Sequence, residues 1–115
     1  MRPVRLRYTA QARAHIAGIY DYIRERNPVA ATEVIARIRL AAERLTEFPR
    51  MGHAGRVVGT HEWVVRGLPY IIVYEIGVPE PNEVLVLGVF HGAKIASVNE
   101  NHRRARTENT CLWRV

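Results

Sequence analysis

The feature that most constrains this chain is a helix stop followed closely by a buried strand. Glu47-Phe48-Pro49-Arg50-Met51-Gly52 closes a long amphipathic run, because Pro49 has no amide N–H to continue a helix and Gly52 frees the backbone to turn. A little further on, Gly67-Leu68-Pro69 turns the chain into Tyr70-Ile71-Ile72-Val73-Tyr74, apolar on both faces as a central strand is. Between them lie Arg56, His61, Glu62 and Arg66, polar groups on connecting backbone. The apolar period thus switches from helical to extended at one place, and the two halves must pack on each other.

Upstream, Val4-Arg5-Leu6-Arg7-Tyr8 alternates apolar and basic, the period of a half-buried strand. Thr9 is placed to cap a helix over Ala10 to Arg26, in which Ala12, Ile16, Ile19, Tyr20 and Ile23 recur at helical spacing. Asn27-Pro28 reads as a break and restart, with Asn27 as N-cap and Pro28 at the first helical position. The second helix carries Ala31, Val34, Ile35, Ile38, Ala41, Ala42, Leu45 and Phe48 on one stripe, with Glu33 and Arg37 spaced as a surface pair. So short a link makes the helices an antiparallel hairpin.

Downstream, Met51 to Gly59 reads as a glycine-punctuated loop and His61 to Arg66 as a short strand. Tyr70 to Ile76 and Glu83 to Phe90 read as two longer strands. The expected fold is α+β: an N-terminal strand, an antiparallel helical hairpin, then a three-stranded antiparallel meander with the helices on one sheet face. At 115 residues the chain makes one domain, long enough to bury about two-thirds of its unfolded surface. Residues 1–95 carry the pattern. Residues 96–115 are polar and basic without periodicity, and are expected to form a mobile tail to which Leu112 and Trp113 give a means of docking back.

Much chemistry is disfavoured. Cys111 is the only cysteine, so neither an intramolecular disulfide nor a cysteine zinc cage is available. Ser97, the only serine, sits in no nucleophile-elbow context, and no phosphate-binding glycine loop occurs. The histidines are scattered: His15 on the surface of the first helix, His53, His61 and His102 in or near loops. No metal or cofactor is expected. No apolar run approaches the ~20 residues of a membrane span, and the N-terminus lacks a signal peptide's apolar core, so the expected location is the cytoplasm.

What remains is a cationic set. The formal net charge of +6 favours acidic partners such as nucleic acid or an acidic protein. Arg56 and Arg66 flank the short strand, while His91 and Lys94 end the last one. Convergent donors of this kind suit phosphate or carboxylate recognition. The same four groups also fit the description of solvated strand ends.

Taken in order, Thr9-x-x-Ala12, Tyr20-Asp21-Tyr22-Ile23, Asn27-Pro28, Phe48-Pro49-Arg50-Met51-Gly52, Val73-Tyr74 and His91-Gly92-Ala93-Lys94 resemble the RelE/ParE superfamily of toxins from bacterial type II toxin–antitoxin modules. The resemblance runs from about Val4 to Lys94 and implies a helical hairpin on an antiparallel sheet, with residues 1–95 as the toxin domain. It implies two possible activities. RelE-like members cut mRNA on the ribosome with basic side chains, typically an arginine just before the strand's Val-Tyr, and often a tyrosine or His-Tyr pair near the C-terminus. Here Ile71 and Ile72 stand before Val73-Tyr74, no tyrosine follows Tyr74, and His91 precedes glycine.

ParE-like members poison DNA gyrase by binding, and this chain is more similar to that branch. The resemblance therefore implies a growth-inhibiting toxin with DNA gyrase as target and Arg56, Arg66, His91 and Lys94 as target-binding residues. Such modules stabilise plasmids or chromosomes. It also implies a cognate acidic antitoxin that folds along an apolar surface of the toxin, giving a hetero-oligomer. The alternative is a ribosome-dependent mRNA endoribonuclease using the same four residues as catalytic groups; a decayed toxin that only binds its partner is a third possibility.

Overall fold

The computed structural model describes residues 5–78 and 80–92. Lys94 and the expected tail, 96–115, lie outside the described residues. The elements are β1 (Arg5–Tyr8), α1 (Ala10–Arg24), α2 (Pro28–Glu47), a 3₁₀ turn (Pro49–Met51), β2 (His53–Ala54), β3 (His61–Val64), β4 (Tyr70–Ile76) and β5 (Glu83–His91).

The helix boundaries follow from local capping. Thr9 Oγ1 accepts the Ala12 N–H at 3.0 Å, and Asn27 Oδ1 accepts the Ala30 N–H at 3.1 Å, with Pro28 opening α2. Each cap satisfies an amide that the helix leaves without a partner, worth about 1 kcal/mol. Pro49 then ends α2 as its missing donor dictates. The expected strand over 61–66 is shorter: β3 stops at Val64, and Arg66 lies in the turn to β4.

The sheet has five strands in the order β1-β5-β4-β3-β2, so doubly apolar β4 is central, as its composition predicts. β2 through β5 pair antiparallel, whereas β1 pairs parallel with β5, Arg5 opposite Glu83 and Tyr8 opposite Val86. The buried Glu83 carboxylate accepts from Arg7 Nε at 3.1 Å, using the basic positions of the alternating first strand. The hairpin covers one face: Ala12 and Ile16 of α1 with Ile38, Ala42 and Leu45 of α2 pack on Tyr70, Ile72, Tyr74, Val84, Val86 and Val89.

β1 ends too early to cover the full length of β5, and α1 takes over. Opposite β5, β4 pairs Val73 with Gly88 but Tyr74 with Val86, leaving Leu87 as a bulge. The Thr9 hydroxyl donates to the Leu87 carbonyl at 3.1 Å, and the Val89 N–H donates to His15 Nδ1 at 3.2 Å. His15, expected on the helix surface, is therefore half-buried, its ring 4.7 Å from that of Phe90. It lies off the apolar stripe because it covers strand edge rather than sheet face. Burial pushes its pKa down, keeping the imidazole neutral and able to accept.

Candidate interaction surface

The helix stop and the Val73-Tyr74 strand, so prominent in the sequence, meet in space. Tyr74 is 0% exposed, and its hydroxyl donates to the Pro49 carbonyl at 2.7 Å while accepting the Gly52 N–H at 3.1 Å. Burial raises the phenol's pKa, so the proton needed for donation stays on. Gly52 has no room for a side chain: a Cβ there would sit 2.4 Å from the Tyr74 hydroxyl and 2.8 Å from the Glu62 carbonyl oxygen. Phe48 and Arg50 leave this pinned turn toward solvent, and His61 stacks on Tyr74 at 5.4 Å. Desolvation first, and then the Arg50 charge, lower the His61 pKa.

The expected cationic residues do not all converge. Arg56 follows β2, where its backbone N–H donates to Glu62 Oε2 at 3.0 Å; the other carboxylate oxygen lies 3.7 Å from His53 Nε2. Arg66 is at the opposite end of β3, about 13 Å away along a four-residue strand. His91 shares that end: it pairs with Tyr70, its ring edge-on at 5.8 Å, and the Gly92 N–H donates to Pro69 O at 2.8 Å across the β3–β4 turn. The fold thus brings Arg66 and His91 to one end and leaves Arg56 at the other. Ile72, just before Val73-Tyr74, is 0% exposed within the helix-side core, a place where a guanidinium would be strongly disfavoured.

A groove that the cationic list missed runs between α2 and the β3 side of the sheet. Two adjoining hollows of about 300 and 730 Å³ share Arg44 and Met51. Arg37, Arg44, Arg50 and Arg66 line them over an apolar floor that includes Leu40 and Trp63, and no carboxylate lines them among the described residues. Arg37, expected to pair with Glu33, instead donates from its guanidinium to the Arg66 carbonyl and so braces the groove's end. Phe48, assigned by its spacing to the buried stripe, is 54% exposed at the groove's other end, because the stop at Pro49 swings it off the sheet. The sequence signal was present as a second stripe, Leu40, Arg44 and Phe48 at four-residue intervals, beside the buried one.

This architecture has relatives. The hairpin-on-sheet fold matches a solved chain of the chromosomal ParDE system from P. aeruginosa with a TM-score of 0.69, at 18% identity over 77% of this chain and 96% of that one. A chain of the toxin–antitoxin complex RelBE2 from Mycobacterium tuberculosis matches with a TM-score of 0.52, at 26% identity over 78% and 99% of the two chains. In sequence, the Y4kP protein of Sinorhizobium fredii is 39% identical over 87 residues, covering 76% of this chain and 86% of that protein. Toxin RelE2 of Caulobacter vibrioides is 30% identical over 88 residues, 76% and 94% of the two chains. Residues 6–96 match the family described as ParE toxin of the type II toxin–antitoxin system, parDE, and the chain belongs to that family.

Proposed function

We propose that this toxin arrests growth in the cytoplasm by binding DNA gyrase, without cutting nucleic acid, and that an acidic segment of its antitoxin lies in the arginine-lined groove. The observation that supports the first part is the separation of Arg56 from Arg66 and His91 among the described residues. RNA cleavage needs a base, an acid and phosphate-stabilising charge around one scissile bond. Arg56 stands a strand's length from Arg66 and His91, and Ile72 fills the position before Val73-Tyr74 with core. Binding has no such convergence requirement, and an excess of positive charge steers the chain to acidic partners.

For the antitoxin, the groove supplies what an acidic amphipathic segment needs: an apolar floor, four guanidinium groups on its walls and, among the described residues, no lining carboxylate. A micromolar excess of purified toxin should inhibit gyrase supercoiling or trap cleaved DNA. Unchanged supercoiling and cleavage would sink the gyrase assignment. The ribonuclease reading keeps one point in its favour, the shared position of Arg66 and His91. It predicts mRNA cut within codons in expressing cells and loss of toxicity in His91→Ala and Arg66→Ala. Full toxicity in both variants would remove it.

A further inference from the structure

We infer that the tip of the helical hairpin, at Tyr22, Arg26 and Val29, is the surface that meets the target, and that it fits a protein surface with an apolar hollow beside a carboxylate. The inference rests on the reading of this chain as a target-binding toxin and adds the place of contact. Tyr22 is 60% exposed and Val29 69%, and neither belongs to the helix-side core or to the smaller cluster on the opposite sheet face. Large apolar and aromatic groups in that position add little to the core.

Nor is Tyr22 loose. The Arg26 guanidinium lies over its ring, 4.4 Å from the centroid, a cation–π contact that holds ring and charge together before any partner arrives. A preordered aromatic anchor loses less freedom on binding than a free one, and tyrosine and arginine are the residue types that dominate protein interfaces energetically. The neighbouring charges are arranged accordingly. Asp21 is engaged by Arg24 at 3.6 Å, and Arg26 presents its charge beside the ring.

The same neighbours argue for protein over nucleic acid. One face of Tyr22 is already occupied by Arg26, which obstructs base stacking there, and the Glu25 carboxylate on the same exposed helix end repels a phosphate backbone. A protein hollow takes the ring's edge and Val29 together while its carboxylate meets Arg26. The tip is also continuous with the end of the sheet. Tyr22 lies near enough to Tyr70 to act on it electrostatically, and Tyr70 pairs with His91. Tyr70 in turn stands at the sheet end that Arg66 and His91 share.

The test compares the full chain with a Tyr22→Ala/Arg26→Ser variant and with Arg13→Ser, a matched loss of charge elsewhere on α1. Each is assayed for growth arrest on induction and for inhibition of purified gyrase, with thermal unfolding as the control for folding. The inference expects Arg13→Ser to behave as the parent. It expects the double variant to unfold at the same temperature but to need at least tenfold more protein for the same arrest. A folded double variant within twofold of the parent, or a parent chain that arrests nothing, overturns the surface. If the parent arrests growth but leaves gyrase untouched while the double variant loses its arrest, the surface stands and only the gyrase assignment falls. A double variant that unfolds is replaced by Tyr22→Ser/Arg26→Gln, judged by the same thresholds.

Discussion

Two tyrosines have opposite fates in this molecule. Tyr74 is fully buried, and its hydroxyl bridges Pro49 and Gly52. Tyr22 stands mostly in solvent with Arg26 across its ring. At the first, the hydroxyl is spent on holding a turn. At the second, the fold would lose little if the side chain were removed. Burial plus satisfied hydrogen bonds marks a structural tyrosine. Exposure plus a preordered charge marks one available to a partner.

The comparison breaks most visibly at the pinned corner. Gly52→Ala should cost about 3 kcal/mol, because the new Cβ meets both a pinned hydroxyl and backbone. Tyr74→Phe should cost about 2 kcal/mol by orphaning the Pro49 carbonyl and the Gly52 amide. Chemical denaturation measures both, and a loss under 0.5 kcal/mol in either would mean the turn does not depend on this bridge. The tip should behave oppositely, Tyr22→Ala shifting stability by less than about 0.5 kcal/mol.

Between these extremes lies the groove. Arg44→Glu combined with Arg50→Glu should weaken antitoxin binding at least tenfold, about 1.4 kcal/mol, while leaving the fold intact. Added salt should weaken the parent complex more than the variant one, since exposed charges are screened. Titration calorimetry at two ionic strengths decides it; equal affinity for parent and variant would remove the antitoxin from this groove.

The smallest effect concerns His15, a titratable group spent on the fold as Tyr74 is. Its folded pKa lies below the ordinary 6.5 because burial disfavours the charged ring. The folded state then binds fewer protons than the unfolded one. Its contribution is complete above the unfolded pKa and is lost as pH falls through the folded value. Between pH 7 and about 5 the parent should lose stability more steeply than His15→Gln, in which that linkage is gone. His61, also shifted down, leaves a residual slope in both. Parallel stability profiles would show that the Val89 amide does not rely on His15.

What was legible in the chain follows from how local each cause is. Thr9, Asn27, Pro28 and Pro49 act on backbone within one turn of themselves, so the helix boundaries could be read within two residues. β4 declared its central place by being apolar on both faces. Phe48 and Arg66 were misassigned for one reason: a periodic stripe continues past the residue at which packing stops. The cationic set was harder, because chain order puts Arg56 and Arg66 at opposite ends of a short strand but does not say which of them the end of another strand, at His91, will join. Arg56 and Arg66 flank four residues of β3 and consequently point to different neighbourhoods.

The sequence by itself determined the α+β architecture, the hairpin, the order of every strand but β2, which lies in the stretch read as a loop, and the lack of an arginine before Val73-Tyr74. These depend on short-range period, capping and residue identity. Only the tertiary structure decided that β1 would run parallel to β5, that His15 and Thr9 would finish the edge β1 leaves open, and that four arginines spread over α2, the 49–51 turn and the β3–β4 turn would line one groove. Those outcomes depend on contacts between residues tens of positions apart. Whether an arginine or tyrosine is spent on the fold or left for a partner is settled by which distant group reaches it first.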